Sequence, residues 1–471
     1  KWRRWLTKYY INNWFSKQSY YKTRFLNQVS DNPDQRISED INSFIVLSLD
    51  LTLGLMNSIV TLVSFIIILW TISGSLNFTL AGHHFSISGY MVYAAVIYAI
   101  IGTLITFKIG KPLIKLNFQQ QAYEADFRYG LVRIREYGEN IAFYKGEQQE
   151  QAGLLFRFNN VVNNFIAIIY RQMKIDIFST GYGQLAIIFP IVVASPRYFA
   201  KIIQLGDLMQ INSAFGRVQD ALSYFINAYT SLSGWRAVMD RLYGFQVMVN
   251  DAGNLEGLPA QASNNYLSLN NLAINLPDGQ NLARNIKITI NSGDRLLIRG
   301  HSGSGKTTLL RAIAGLWPYA EGTIEQQREL NSLFIAQKPY LPLGTLKQSI
   351  CYPLVDNLPH DEEIIRLLNL CSLPYLINQL HETTDWSNKL SQGEQQRIAF
   401  CRILINKPDI IYLDEATSAL DEEIEANMYK LVIETLPNSA IVSVGHRSTI
   451  KHWHNQEFDF DSIANLAYGK K

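Results

Sequence analysis

A glycine-rich octapeptide is the part of this chain best suited to bind phosphate. It fits the pattern G-x-x-x-x-G-K-[ST] and consists of Gly300, His301, Ser302, Gly303, Ser304, Gly305, Lys306 and Thr307. Apolar residues 296–298 precede it with the character of a strand, and helical spacing follows from Thr308. Glycines let backbone N–H groups approach phosphate oxygens, and a helix N-terminus adds partial positive charge. The pattern predicts a nucleoside triphosphate site, with Lys306 on the β- and γ-phosphates and the Thr307 hydroxyl on Mg²⁺.

Two carboxylates follow a second apolar strand further along the chain. Residues 409–413 have the character of a buried strand, which ends in Asp414 and Glu415. A carboxylate at such a strand end holds Mg²⁺ through its ligand shell, and Asp414 fits that role. Glu415 is a candidate general base for the attacking water. Together with the octapeptide, this pair predicts hydrolysis of a nucleoside triphosphate.

A second octapeptide, between these two motifs, carries a family resemblance. It occupies 390–397 with the sequence LSQGEQQR and resembles the signature motif of ABC ATPases. Three further positions match that family in the correct order. Gln337 is similar to the Q-loop glutamine, residues 418–421 are similar to the D-loop, and His446 is similar to the switch histidine.

The resemblance implies a role for each of these residues. Two ATPase domains would enclose two ATP molecules. Ser391 and Gly393 of one copy would face the γ-phosphate that the other copy holds. Gln337 would contact Mg²⁺ and the attacking water, and His446 would steady the γ-phosphate.

The chain departs from the family's pattern at two positions. Gln392 stands where glycine is usual in the signature octapeptide, whereas Ser391 and Gly393 are kept. Leu276 stands where an aromatic side chain usually stacks on adenine. This second departure predicts looser selectivity for ATP over GTP.

The part of the chain before residue 250 is unusually apolar. Hydrophobic residues make up 48% of the whole chain and charged residues only 17%, a low share for a wholly soluble protein. Four runs approach the roughly 20 residues that cross a bilayer: 51–72, 90–107, 177–196 and 205–232. The fourth is amphipathic because Asp207, Arg217 and Asp220 interrupt it. These charges either line a translocation path or lie at the membrane edge. The alternative for the apolar runs is buried core helices.

The basic residues predict an orientation in the membrane. The first 25 residues contain seven Lys or Arg and no acidic residue, whereas 73–89 contains neither Lys nor Arg. Because cytoplasmic flanks carry the excess of basic residues, the N-terminal part is predicted to be cytoplasmic and 73–89 external. Four crossings then return the ATPase domain to the cytoplasm.

Polarity also divides the chain into domains. We expect a transmembrane domain at 1–245, a linker rich in Asn, Gly, Ala and Gln at 246–265, and a nucleotide-binding domain at 266–471. The polar stretch 111–174 predicts two helices that project from the membrane. The predicted fold class is an α-helical transmembrane domain, exporter-like with long cytoplasmic helices, followed by an α/β P-loop ABC ATPase domain.

The charge, cysteine and histidine content give no support for a nucleic-acid-binding or metal-binding protein. A net charge of +2 gives no support for a nucleic-acid partner. The three cysteines all lie in the ATPase half and are expected to be reduced thiols. His452 and His454 are expected at the surface, and no Cys or His spacing typical of a metal site occurs.

Two polar segments of the membrane half narrow the resemblance. They are 31–40, with the sequence DNPDQRISED, and 139–147, with the sequence ENIAFYKGE. Both resemble cytoplasmic segments of subfamily-D ABC half-transporters, a group that includes peroxisomal fatty acyl carriers and bacterial proteins linked to cobalamin and antimicrobial-peptide uptake. The resemblance implies that these segments couple the membrane helices to the ATPase. It also implies six membrane helices, so two N-terminal helices are expected to be missing from this sequence.

The resemblance implies an ATP-driven transporter of the bacterial inner membrane, a multi-pass protein with a cytoplasmic ATPase domain. The expected cofactors are ATP and Mg²⁺, and the expected partners are membrane lipid, an unidentified solute and a second copy, because a homodimer is the simplest completion of a half-transporter. Cobalamin, peptides and acyl-CoA are the solute classes that the family suggests, and both uptake and export stay open. A regulatory or mechanotransmitting membrane ATPase with no substrate of its own is the alternative.

Overall fold

The computed structural model describes residues 1–26, 32–80 and 83–463 of the chain. The chain divides into two compact units, Lys1–Gly253 and Asn254–Lys471. The first unit is helical apart from one hairpin, and the second combines helices with parallel and antiparallel sheets. This order of elements confirms the predicted fold class.

The first unit is built mainly from long helices. Its α-helices are α1 (Trp2–Phe15), α2 (Ser19–Lys22), α3 (Pro33–Gln35), α4 (Ile41–Ser73), α5 (Tyr90–Glu136), α6 (Gly138–Tyr144), α7 (Glu147–Phe199), α8 (Leu205–Leu222), α9 (Tyr224–Asn227) and α10 (Tyr229–Asn254). A π-helical segment, Arg36–Asp40, leads into α4. The antiparallel strands β1 (Ser75–Leu80) and β2 (His83–Ser88) connect α4 to α5.

Three helical segments are long and apolar enough to cross a membrane. They are Pro33–Ser73, Tyr90–Glu136 and Glu147–Phe199, and they contain the first three predicted spans. Only 6%, 39% and 17% of their most apolar windows are buried inside the unit, so these are not core helices. A bilayer removes from water the large apolar surface that they expose.

The fourth predicted run is not a single helix and is absent from the candidate spans found among the described residues. Ser223 and Ala228 interrupt it, each with ψ near zero, and its charged residues lower its hydropathy. Its apolar face nonetheless packs along the other spans. Phe215 lies in one buried cluster with Met91, and Tyr229 packs so closely on Gly110 that a Cβ there would lie 2.1 Å from the ring.

The polar stretch 111–174 is helical, as predicted, and forms parts of α5 and α7 with the short α6 between them. The first part of the predicted linker is helical, because α10 continues through Asn254. Phe245, Met248 and Val249 are buried in one cluster against Tyr10 of α1, which keeps this stretch helical. The boundary between the units falls between Gly253 and Asn254.

The second unit has an α/β architecture. Its strands are β3 (Ala260–Ser263), β4 (Leu267–Asn275), β5 (Asn281–Ile290), β6 (Arg295–Arg299), β7 (Ala320–Gln327), β8 (Ser332–Ile335), β9 (Gly344–Thr345), β10 (Thr383–Thr384), β11 (Ile410–Asp414), β12 (Ala440–Val444) and β13 (Gln456–Asp459). Its α-helices are α11 (Lys306–Ile313), α12 (Leu346–Cys351), α13 (Asp361–Leu370), α14 (Trp386–Lys389), α15 (Gln392–Asn406) and α16 (Glu422–Thr435).

A five-stranded parallel sheet forms the centre of this unit, in the order β13-β6-β12-β11-β8. Its three central strands, β6, β12 and β11, are short and mainly apolar in their buried positions, as expected for strands covered on both faces. A second sheet has the order β3-β7-β4-β5. The main core lies between the parallel sheet and helices α12 to α16, around Trp386, Phe400 and Ile411.

Candidate functional site

The predicted site residues meet at one edge of the parallel sheet. Strands β6, β12, β11 and β8 are neighbours and run in the same direction, so their carboxyl ends lie side by side. Within two residues of these ends come Gly300, His446, Glu415 and Gln337. Ligands of open α/β sheets bind at this edge, and the motifs that the sequence separates are thus brought together.

The phosphate loop connects β6 to α11, as predicted. Gly300, Gly303 and Gly305 have φ values of 154°, 78° and 110°, which glycine adopts without strain. A Cβ at Gly305 would lie 2.3 Å from the Leu282 side chain. Within the described residues the Ser304 hydroxyl is buried without a hydrogen-bond partner. An unpaired buried hydroxyl in a loop of this type fits a phosphate ligand.

Lys306 begins α11 and folds back over the loop. Its ammonium donates hydrogen bonds to the carbonyl oxygens of Gly300 and His301, both at 2.7 Å. Burial lowers the pKa of Lys306, and the neighbouring carboxylates Glu415, Asp461 and Asp414 oppose that shift. The neighbouring carboxylates therefore do not fully offset the cost of burying the ammonium charge. An added anion such as phosphate would stabilise that charge further.

Thr307 and Asp414 face each other across the site. The Thr307 hydroxyl donates to the Asp414 carboxylate at 3.1 Å. Burial raises the pKa of Asp414, and Glu415 adds to that effect, while the Thr307 hydrogen bond opposes it. A hydroxyl and a carboxylate oxygen at this spacing form a donor set of the kind that Mg²⁺ prefers.

Glu415 joins the other two predicted catalytic residues. Gln337 donates to its carboxylate at 3.0 Å, and His446 Nε2 lies 3.3 Å from the other carboxylate oxygen. Glu415 has the left-handed φ of 48°, and its backbone N–H donates to Val444 at 3.0 Å. This backbone turn directs a partly exposed carboxylate beside the phosphate loop, where a general base would act.

Ser391 and Gly393 lie at the start of α15. Ser391 caps the helix: its hydroxyl accepts from the Glu394 N–H, and the Glu394 carboxylate accepts from the Ser391 N–H at 2.7 Å. A Cβ at Gly393 would lie 3.0 Å from the Ala419 carbonyl oxygen. In the described part of the chain, neither residue has a hydrogen bond to the phosphate loop. The predicted site is thus assembled in one chain except for these two residues.

Sequence reasoning missed a glutamine that joins three motifs. Gln396 is fully buried, and its side-chain amide donates to the Gln337 carbonyl at 2.9 Å and the Ser418 hydroxyl at 3.2 Å. Its amide oxygen accepts from the Ala419 N–H at 3.0 Å. The signature octapeptide contains this residue, so its position in the motif was the available signal.

Arg447 and Asp461 are two further residues that the sequence did not single out. Arg447 follows the switch histidine and donates to the carbonyl oxygens of Ser418 and Leu420, both at 2.7 Å. Asp461 follows the edge strand β13 and accepts from the His301 N–H at 2.9 and 3.1 Å. Both residues hold backbone segments of the site in place, a role that only the fold reveals.

Leu276 begins the turn between β4 and β5. Its backbone N–H donates to the Gln280 carbonyl at 2.7 Å, and its side chain is half-buried. The position predicted to lack an adenine-stacking ring therefore lies in a hydrogen-bonded hairpin turn.

Two family models match this chain. The ABC transporter transmembrane region 2 model matches residues 1–199, and the ABC transporter model matches residues 283–418. The chain belongs to the ABC transporter family. Its second unit is therefore an ABC ATPase domain that binds ATP and couples its hydrolysis to transport.

Members of the ABC transporter family align with nearly the whole chain. The inner membrane ABC transporter ATP-binding protein YddA of Escherichia coli is 36% identical, with 98% of this chain and 82% of the relative aligned. ABC transporter D family member 2, chloroplastic, of Arabidopsis thaliana is 33% identical, with 97% and 72% aligned. These matches confirm the resemblance to subfamily-D half-transporters.

A solved structure shows the same fold. A bacterial Atm1-family ABC exporter with ATP bound superposes with a TM-score of 0.75 and covers 95% of this chain and 78% of that one. The identity is 18%, so this likeness concerns the fold alone. It agrees with the helical unit followed by an ABC ATPase unit.

Proposed function

We propose that two copies of this chain form an ATP-driven solute transporter of a bacterial inner membrane, with the ATPase units in the cytoplasm. The observation that carries the proposal is the division of the site. One chain assembles the phosphate loop, Asp414, Glu415 and His446, but leaves Ser391 and Gly393 without a hydrogen bond to that loop among the described residues. A second copy in C2 symmetry supplies the missing half to each site.

In this proposal the residues have distinct roles. Lys306 and the loop N–H groups hold the ATP phosphates, while Thr307, Asp414 and Gln337 would hold Mg²⁺, which screens phosphate charge when bound. Glu415 accepts a proton from the attacking water. His446, in contact with Glu415, orients that carboxylate and donates toward the γ-phosphate.

Mixed dimers test the shared site. Lys306→Met disables one phosphate loop, and Ser391→Arg disables one signature motif, so each variant alone forms dimers without an intact site. In a mixed dimer, the phosphate loop of the Ser391→Arg copy meets the signature motif of the Lys306→Met copy. We expect ATP turnover to reappear on mixing.

The matched control mixes wild type with the Lys306→Met, Ser391→Arg double variant, where no mixed site is intact. Its turnover should equal that of the residual wild-type dimers alone. Absence of recovery in the first mixture, with mixed dimers verified by two affinity tags, would reject the shared-site arrangement.

Solute-dependent turnover tests transport. The full chain in lipid nanodiscs is assayed for ATP turnover with cobalamin, a cationic peptide and an acyl-CoA, the classes that the family resemblance suggests. Stimulation by one class, absent in Glu415→Gln, supports coupling of hydrolysis to that solute. Turnover that no solute changes, combined with no ATP-dependent flux in proteoliposomes, would favour the regulatory alternative.

A further inference from the structure

One face of the α8–α10 segment is polar along most of its length. Its exposed polar residues recur at spacings of three, four or seven and form what we call the polar stripe: Gln210, Ser213, Arg217, Asp220, Asn227 and Ser231. The opposite face is apolar and buried, with Leu208, Ile211 and Phe215 packed on the neighbouring helices. A helix with these two faces separates an apolar environment from a polar one.

Packing places the middle of the stripe deep in the membrane. The ring of Phe215 lies 5.7 Å from that of Phe189 and 6.5 Å from that of Tyr98, which lie near the middle of the apolar runs 177–196 and 90–107. The Ser223 hydroxyl lies 3.3 Å from that of Tyr182. Asp220 and its neighbour Arg217, between these anchors, lie about 18–22 Å from the start of α8 at about 1.5 Å per residue. That is the interior of a hydrocarbon core roughly 30 Å thick.

The two charges at this depth attract each other, but no hydrogen bond or salt bridge joins them. Across the described residues, neither Arg217 nor Asp220 forms a hydrogen bond or a salt bridge, and both side chains are exposed. Lipid strongly disfavours charged side chains that form no hydrogen bonds at this depth, so such residues face a water-filled cavity or a ligand. The stripe therefore faces water or a polar partner.

The polar surface continues toward the inner end of α7. The Thr230 hydroxyl on α10 donates to the Gln172 side chain at 3.0 Å, and Gln172 donates to Asp176 at 3.0 Å. Gln172 and Asp176 line an open groove with a volume of about 520 Å³, whose other lining residues are mainly apolar. With the stripe, Thr230, Gln172 and Asp176 place polar side chains from mid-membrane to the inner ends of the spans.

We propose that the polar stripe lines the translocation path, and that Arg217 and Asp220 together select a hydrophilic zwitterionic solute. This inference rests on the proposed transport function and names its solute class. Residues three apart on a helix have Cβ atoms about 5–6 Å apart on the same face, so one small solute reaches both. Arg217 pairs with an anionic group of the solute, and Asp220 with a cationic group.

Thiol accessibility tests the water-filled path without knowledge of the solute. The three native cysteines are buried, which gives a low background. Ser213→Cys and Asn227→Cys on the stripe are compared with Ile67→Cys and Leu104→Cys, whose positions are exposed but apolar. Membrane-impermeant methanethiosulfonates need a hydrated thiolate, so the stripe thiols should react at least about tenfold faster. Equal rates at all four positions would overturn the proposal.

Solute charge tests the selection. Tri-alanine, its N-acetyl derivative and its C-terminal amide are compared as stimulators of ATP turnover in nanodiscs. Tri-alanine should act at about ten- to hundredfold lower concentration than either derivative, the effect of a lost charge-assisted contact. Arg217→Gln should abolish the difference between tri-alanine and the amide, and Asp220→Asn the difference from the N-acetyl form. The control is Lys201→Gln, an exposed cation before α8 that should change nothing.

The outcomes separate the two proposals. No preference for tri-alanine, or a preference unchanged in both variants, would overturn the zwitterion assignment. If another solute still drives ATP-dependent flux, the transport function survives that result. Unreactive stripe thiols together with no flux of any solute would reject both proposals, and would favour a stripe covered by protein.

Discussion

The two units use buried charge in opposite ways. In the membrane unit, Asp40 accepts hydrogen bonds from Arg241 at 2.8 and 3.0 Å and from Arg36 at 2.5 Å, and all three side chains are 4% exposed. In the ATPase unit, Glu415 keeps 30% of its side chain exposed and contacts His446 and the neutral side-chain amide of Gln337. The carboxylate that stabilises the fold, Asp40, is enclosed by its arginine partners. The carboxylate of the ligand site, Glu415, forms no salt bridge with a fully buried cation among the described residues.

The electrostatics of the ATPase site agree with this difference. Burial lowers the pKa of Lys306 and raises that of Asp414, so both groups are shifted toward their neutral forms. Neither charge is therefore at its most stable without a ligand. Sites held in this state trade stability for function, and substitutions there should affect activity more than folding.

The largest expected effect is on catalysis. Glu415→Gln keeps the shape of the side chain but removes the base, so ATP turnover should fall by about 10²–10⁴-fold. ATP binding and the unfolding temperature should stay near wild type. The control is Glu434→Gln on the exposed face of α16, which should be silent. Turnover in Glu415→Gln within a few-fold of wild type would exclude this residue as the base.

The next effect is on the fold of the membrane unit. Asp40→Asn removes the buried carboxylate that Arg36 and Arg241 share, which should cost about 3–5 kcal/mol. At about 2–4 °C per kcal/mol, the unfolding temperature of this unit in nanodiscs should fall by roughly 6–20 °C. Glu39→Gln removes an exposed partner of Arg128 and should cost at most about 1 kcal/mol. Equal losses in the two variants would remove the contrast between enclosed and exposed charge.

A smaller effect is expected at the junction of the ATPase motifs. Gln396→Ala leaves the Ala419 N–H and the Gln337 carbonyl without their shared partner, which should cost about 1–3 kcal/mol of stability in this unit. ATP turnover should also fall, because Gln337 contacts Glu415. Gln392→Ala, an exposed glutamine of the same helix, is the matched control for stability. If both variants have the same unfolding temperature, Gln396 does not join these motifs.

The smallest effect is a pH dependence of the ATPase unit. Burial lowers the pKa of His454, whose ring nitrogens lie 2.7 Å from the Ile450 carbonyl and 2.8 Å from the Ser443 hydroxyl. Just below pH 6.5, the ordinary pKa of histidine, the His454 ring is therefore protonated in the unfolded chain and neutral in the folded chain. Stability should rise with pH between the lowered pKa and 6.5, by at most about 1.4 kcal/mol per pH unit.

His454→Gln should flatten that slope in pH-dependent denaturation of the ATPase unit, and His452→Gln at an exposed position should not. An unchanged slope in His454→Gln would assign the dependence to another group. The sequence led us to expect His454 at the surface. That expectation was wrong because a lone histidine shows no periodic pattern, while the fold packs this ring against Tyr429.

The sequence predicted most of the ATPase site because its motifs are local. A strand, a glycine loop and a helix lie within one stretch around Lys306, and Asp414 and His446 each follow an apolar strand. Residues such as Arg447 and Asp461 act on segments remote in sequence, and only strand order brings them there. Their roles followed from the tertiary fold and not from any spacing.

The membrane unit was less predictable for a related reason. Apolar runs identified three spans, but the breaks at Ser223 and Ala228 follow no proline or glycine. The burial of Asp40 between two arginines depends on residues 201 positions apart. The extent of α10 was also missed, because packing on α1 overrides a composition that suggested a linker.

The most direct test of the contrast between the units is the ATP-induced shift in unfolding temperature of the full chain in nanodiscs. Wild type and Asp40→Asn should both gain a shift equivalent to about 2.7 kcal/mol at an ATP concentration one hundred times the Kd. Lys306→Met should unfold near the wild-type temperature without ATP and gain no shift. Two results would contradict this account. Lys306→Met would unfold at as low a temperature as Asp40→Asn without ATP, or it would keep the full ATP-induced shift. Either result would mean that Lys306 does not serve mainly to bind ATP.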